Sequence, residues 1–349
     1  MDCLNDWPEP VVRVQSISES GTALIPSRYI KPVAERPTIV PDTDTDTEPI
    51  PVIDLSSNMA SAVSKACREW GFFQAVNHGV SPALMRRTHE LWREFFHLPM
   101  EAKQAYANSP KTYEGYGSRL GMEKEAILDW GDYYFLHLFP LCLKNHDKWP
   151  SLPPSLRETV EEYGRELVKL CERMLGLLSA GLGVADGALQ RRFGGEEAGA
   201  CMRVNYYPKC PQPELALGLS SHSDPGGITV LLPDNEVTGL QVRRRSGWVT
   251  VHPLADAFIV NVGDQVQVMS NATYRSVEHR VVVNSKIERL SIAFFYNPRS
   301  DMPVESIPEL VGPNHPALYQ PMTFDEYRLY IRKHGPRGKS QVESLKAIG

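Results

Sequence analysis

Ten histidines occur in this 349-residue chain, and one of them heads an H-x-D triplet, His222-Ser223-Asp224. Residues i and i+2 of an extended strand point to the same side, so this imidazole and carboxylate can share one ion. Pro225-Gly226-Gly227 follows as a turn, which places the pair at a strand end. His279, opening the stretch His279-Arg280-Val281-Val282-Val283, is the natural third ligand. Two histidines and one carboxylate on a β-scaffold make the facial triad of non-haem Fe(II) oxygenases, which leaves three coordination positions open. Zinc hydrolases also use such ligands, but their H-E-x-x-H helix is absent here. The plainer reading, ordinary polar residues on a sheet rim, also fits a lone H-x-D, so the neighbouring residues decide.

Ten residues beyond His279 stands Arg289-Leu290-Ser291, flanked by Ile292-Ala293-Phe294-Phe295. Arg289 and Ser291 face one way, into the interior of a barrel. A desolvated guanidinium costs several kcal/mol unless an anion meets it. A dicarboxylate co-substrate supplies that anion: one carboxylate pairs with the Arg fork while the 2-keto acid end chelates the metal. Asn205 and Tyr207 share a face of the strand Arg203-Val204-Asn205-Tyr206-Tyr207 and complete the hydrogen bonds.

A second cationic group lies near the C-terminus. Thr323 and Glu326 have capping-box spacing, Gly335-Pro336 is a stop, and Arg328 and Arg332 between them share one helical face. A solvated basic face explains that pair by itself. Arg203 shares the strand face of Asn205 and Tyr207, and three arginines meeting there would clamp a substrate carboxylate. Phe135, Phe295 and Phe324 are the candidate apolar walls.

The elements that must position these groups show two periods. Before residue 200 the pattern is mainly helical: Ser57–Glu69, a helix opened by Ser81-Pro82, and a long helix from Ser155. In the long helix Leu156, Val160, Tyr163, Leu167, Leu170, Met174 and Leu178 form one apolar face, ended by Gly181 and Gly183. Ile50–Leu55 and Trp70–Val76 read as strands. After residue 200 the period falls to two. The predicted strands are Met202–Tyr207, Ile228–Leu232, Leu240–Arg243, Trp248–His252, Phe258–Val262, Val266–Met269, His279–Val283 and Arg289–Tyr296. The expected fold is α+β with a mainly β core: a double-stranded β-helix (jelly-roll, cupin-like) flanked by N-terminal helices and a C-terminal helix. The expected divisions are 1–49, an extension and linker; 50–195, a helical region; 196–305, the metal and co-substrate core; and 306–349, the C-terminal helix and tail. The linker call rests on five prolines in residues 32–51 and on the run Asp42-Thr43-Asp44-Thr45-Asp46-Thr47.

Composition narrows the function classes. The net charge is −5, from 37 basic and 42 acidic residues without a basic block, which argues against nucleic acid or an anionic membrane as partner. No apolar stretch has the length of a membrane span, and residues 1–7 lack the pattern of a signal peptide. Six scattered cysteines without C-x-x-C spacing read as reduced thiols. These features predict a cytoplasmic protein, with the nucleus as the second candidate compartment, a small-molecule partner and no obligate protein partner.

The ordered set Asn205-Tyr206-Tyr207-Pro208, His222-Ser223-Asp224-Pro225-Gly226-Gly227, Glu278-His279-Arg280 and Arg289-Leu290-Ser291 follows Trp70-Gly71-Phe72-Phe73-Gln74 upstream. As a set, over about residues 50–340, it resembles the plant 2-oxoglutarate/Fe(II)-dependent dioxygenases. That resemblance implies iron on His222, Asp224 and His279, 2-oxoglutarate on Arg289, Ser291 and Tyr207 with Asn205 beside it, O2 as oxidant and ascorbate in support. Trp7-Pro8-Glu9-Pro10, Thr112-Tyr113-Glu114-Gly115-Tyr116-Gly117 and the Arg328/Arg332 helix are similar, more narrowly, to the jasmonate-induced oxygenases. Membership there implies hydroxylation of jasmonic acid to 12-hydroxyjasmonate, which lowers active jasmonate signalling. It also implies that Arg203, Arg328 and Arg332 hold the carboxylate, with Phe135, Phe295 and Phe324 in the pocket. The rival readings are a flavonoid oxygenase of the flavonol or anthocyanidin synthase type, whose substrates lack a carboxylate, and a non-catalytic small-acid binder.

Overall fold

The computed structural model describes residues 6–37, 49–57, 59–245 and 247–346. The Asp-Thr run of the expected linker lies outside them. Twelve strands build two sheets: β1 (Val52–Asp54), β2 (Phe72–Val76), β3 (Gly115–Gly117), β4 (Asp132–Phe139), β5 (Gly199–Tyr207), β6 (Leu219–His222), β7 (Ile228–Leu232), β8 (Leu240–Arg244), β9 (Gly247–Thr250), β10 (Phe258–Val262), β11 (His279–Val281) and β12 (Arg289–Asn297). The larger sheet runs β1-β2-β10-β7-β12-β5-β4-β3, and the smaller runs β6-β11-β8-β9. Together they make the double-stranded β-helix that the sequence predicts.

The period-two alternation divides the large sheet into a core face and a site face. On β5 and β12, Met202, Val204, Tyr206, Leu290, Ile292, Phe294 and Tyr296 join the main core, which also takes the apolar stripe of the helix Leu156–Leu182. The alternate residues point the other way. Antiparallel register sets Tyr207 opposite Arg289, Asn205 opposite Ser291, Arg203 opposite Ala293 and Cys201 opposite Phe295. The β4–β5 register adds Phe135 opposite Arg203. Residues distant in sequence thus become neighbours on one inner surface.

Several expected elements need correction. Val266–Met269 is not a strand but part of a helix, Asp264–Met269, with every residue buried. A helix buried all round shows no amphipathic stripe, so its Val-Gln-Val alternation imitated a strand. β4 is an eight-residue strand within the region expected to be helical. Gly181 does not end the long helix, which continues to Leu182. A Cβ at Gly181 would come within 2.5 Å of Ser64, so that glycine admits a neighbouring helix. Gly183 is the true stop, with φ of 72°. Ser81 makes no side-chain cap bond, although Pro82 does open its helix. The helix expected from Ser57 begins at Ala60, and the strand expected to reach Val283 ends at Val281. Thr323 and Glu326 form the expected capping box at the start of the helix Phe324–His334. No described helix is long and apolar enough to cross a membrane, and the five described cysteines are free thiols.

Candidate active site

His222 ends β6, and His279 opens β11 directly opposite it in the ladder. Asp224 lies two residues beyond, where the chain turns into β7. One Asp224 oxygen, Oδ1, is 3.5 Å from Nε2 of each histidine, and ligand atoms of all three residues lie within 4.8 Å of one another. Each ring is held from behind. Nδ1 of His222 is 2.8 Å from the Ser220 carbonyl, and Nδ1 of His279 is 3.2 Å from that of Val277. A carbonyl only accepts, so each Nδ1 carries the proton and each Nε2 turns its lone pair inward.

Asp224 is fixed by two residues that sequence reasoning missed. Its Oδ2 accepts from Thr229 Oγ1 at 2.5 Å and from Asn261 Nδ2 at 2.7 Å. Those two residues face each other in the β7–β10 register. The available signal was the polar interruption in the otherwise apolar runs Ile228–Leu232 and Phe258–Val262. Burial opposes the Asp224 charge, but the adjacent His279 and His222 rings and the hydrogen bond from Asn261 outweigh it and hold the carboxyl well below its usual range. Burial and the adjacent His222 push His279 down to about 4, so it is neutral and ready to ligate near pH 7. The donor set and its aim fit a ferrous ion.

A partly buried ion pair braces the same edge. Lys31 Nζ binds Asp129 at 2.8 Å and Ser220 Oγ at 2.8 Å, and Ser220 is the residue whose carbonyl orients His222. This N-terminal segment is therefore packed beneath the site rather than loosely attached.

Arg289 and Ser291 stand on the inner face, as expected. Arg289 is only 4% exposed; it donates to Ser291 Oγ at 3.2 Å and to the Val237 carbonyl at 3.2 Å. No carboxylate pairs with it among the described residues, and burial lowers its pKa. Asn205 Oδ1 is buried without a hydrogen-bond partner. A buried, unpaired guanidinium beside an orphaned amide fits an anionic, chelating co-substrate.

Arg203, Arg328, Arg332, Phe135, Phe295 and Phe324 all line one cavity of about 200 Å³, whose wall also includes His222 and Asp224. Arg203 lies over the Tyr133 ring at 4.2 Å, and its Nε has no hydrogen-bond partner. Arg328 pairs with Asp325 at 2.7 Å, leaving its Nε unpartnered. Arg332 makes no ion pair among the described residues; burial and the neighbouring Arg328 push it down to about 10. Thr112, Tyr113, Leu120 and Gly121, on either side of β3, close another side of the cavity.

Comparison with known proteins agrees with this geometry. Residues 198–298 match the model of the 2OG-Fe(II) oxygenase superfamily, and residues 50–156 match that of the N-terminal region of non-haem dioxygenases in morphine synthesis. Jasmonate-induced oxygenase 2 of Arabidopsis thaliana is 60% identical over 351 residues, covering 98% of this chain and 94% of that one. The chain belongs to the 2-oxoglutarate/Fe(II) oxygenases, in the jasmonate-induced oxygenase group. Among solved structures, that of JOX2 in complex with 2OG, Fe and JA is 60% identical, with a TM-score of 0.94 over 98% of this chain and 100% of that one. Flavonol synthase/flavanone 3-hydroxylase of Arabidopsis thaliana is more distant, at 41% identity over 91% of this chain and 96% of that one. As a member of this family the chain is a dioxygenase that uses Fe(II) and 2-oxoglutarate.

Proposed function

We propose that this enzyme hydroxylates jasmonic acid to 12-hydroxyjasmonate. The observation that carries the reading is that one cavity has three arginines and three phenylalanines in its wall together with His222 and Asp224, two of the three candidate metal ligands. In this reading His222, Asp224 and His279 hold the iron, while Arg289, Ser291, Tyr207 and Asn205 hold 2-oxoglutarate. Arg203, Arg328 and Arg332 clamp the substrate carboxylate, and Phe135, Phe295 and Phe324 guide its apolar chain. Bound iron and 2-oxoglutarate supply the oxidation, with O2 consumed, succinate and CO2 released, and ascorbate keeping the metal reduced. The protein orients the reactants and excludes water from the site.

A flavonoid polyphenol has no carboxylate and would leave the arginine cluster without a counter-charge, which argues against that rival. Hydroxylation at the chain end lowers the pool of free acid available for conjugation. The proposed role is therefore hormone catabolism that limits jasmonate-driven defence, in the cytoplasm, with the nucleus as the second candidate compartment. A turnover screen with product mass tests this, comparing jasmonic acid, its amino-acid conjugate, a gibberellin and a flavonol precursor. The expected result is mass gain of one oxygen on jasmonic acid with matching succinate; preferential turnover of the flavonol precursor would overturn the reading.

A further inference from the structure

One buried carboxylate joins the iron-binding turn to the helix that bears two of the cavity's arginines. Asp264 is 1% exposed. Its Oδ2 accepts from Ser223 Oγ at 3.0 Å and from Tyr327 OH at 2.7 Å. Ser223 lies between His222 and Asp224. Tyr327 is fully buried on the helix Phe324–His334, next to Arg328 and five residues before Arg332. Beyond that helix the chain returns to the same turn: Gly338 N–H donates to the Ser221 carbonyl at 2.9 Å, and Ser223 N–H to the Gly338 carbonyl at 3.2 Å. Gln341 also donates to the Tyr327 carbonyl.

A helix moves as a rigid body, so Tyr327 sets the position of both arginines relative to the iron turn. We propose that Asp264 and Tyr327 are a positioning pair that fixes the distance between the metal and the carboxylate clamp, and so selects which substrate carbon is oxidised. The inference rests on the jasmonate reading above. The expected effect is large for one hydroxyl, because a shift of about 1 Å in the reacting atoms can cost on the order of 100-fold in rate. Hydrogen bonds to charged acceptors are also the stronger kind.

Tyr327→Phe removes the hydroxyl and keeps the ring in its slot, and Ser223→Ala breaks the other arm should the first variant fold poorly. Three readouts are taken: the position of hydroxylation, product formed per succinate, and jasmonic acid binding to the iron-free protein by calorimetry. Tyr327→Phe should spread hydroxylation to a neighbouring carbon, lower product per succinate about threefold, and weaken binding about 10-fold. Substrate-free 2-oxoglutarate turnover should stay within about twofold of wild type. Because both arms meet on one carboxylate, the double variant should do little more than the larger single. Unchanged position, coupling and affinity in both variants, with only a lower unfolding midpoint, would overturn the proposal and leave the pair a structural one. Wild-type protein that neither binds nor oxidises jasmonic acid would overturn the substrate reading, and this inference with it.

Discussion

Around His222, Asp224 and His279, the proposed iron ligands, strands of both sheets and the turn between them supply the side chains, and the ring and carboxylate atoms facing away from their shared centre have partners: Ser220 and Val277 behind the histidines, Thr229 and Asn261 behind Asp224. Around the arginines the construction is mixed. Arg203 stands on a strand, but Arg328 and Arg332 come from a helix outside the sheets, and Nε of both Arg203 and Arg328 is buried without a partner. The first region is complete as a ligand set, whereas the second is cationic, half-satisfied and otherwise apolar. In the reading proposed above, the contrast divides chemistry from selection: the fully partnered ligand set serves every turnover, and the half-satisfied cluster, drawn from strand and helix alike, decides which molecule is admitted.

That division can be broken in order of severity. Removing a metal ligand, as in His279→Ala, should abolish turnover and reduce bound iron to background; wild-type protein stripped by a chelator should recover on addition of Fe(II). Metal analysis alongside succinate release checks both. Arg289→Leu should raise the 2-oxoglutarate KM about 100-fold while leaving jasmonic acid binding intact, since it removes one partner of a buried charge pair. Arg332→Ala should do the reverse, with about 100-fold lost in kcat/KM for jasmonic acid and substrate-free 2-oxoglutarate turnover retained. A common loss of both would mean that the two regions are not separable. Thr229→Val, which removes one of the two hydrogen bonds to Asp224 Oδ2 while conserving shape, should weaken iron about 10-fold, read by metal titration. The smallest effect is expected at the helix cap. Thr323→Ala should cost about 1 kcal/mol in a denaturant melt, with iron affinity unchanged.

Much of the site was legible because strand alternation is a strict rule. Arg289 with Ser291, and Arg203 with Asn205 and Tyr207, each follow from counting by two, whereas Asp224 meets His222 from the turn beyond the end of β6. What alternation could not show was register. Tyr207 opposite Arg289 and Asn205 opposite Ser291 is a fact of pairing between strands some eighty residues apart. Thr229 and Asn261 were passed over for the same reason: each is a single polar residue in an apolar strand, and only their cross-strand pairing beside Asp224 gives them a purpose. The helix Asp264–Met269 was misread because burial on every side erases its period. Lys31 lies in the segment expected to be an extension and linker, and its contact with Asp129 and Ser220 depends on the packed fold.

The central claim is that one cavity presents an apolar chain to the iron while arginines hold the carboxylate of the same molecule. Comparing kcat/KM for jasmonic acid with that for its methyl ester, by product mass, tests this most directly. The ester keeps the shape and removes the charge. The account predicts that the acid is hydroxylated and that the ester falls by about 100-fold. Equal turnover of acid and ester would contradict it.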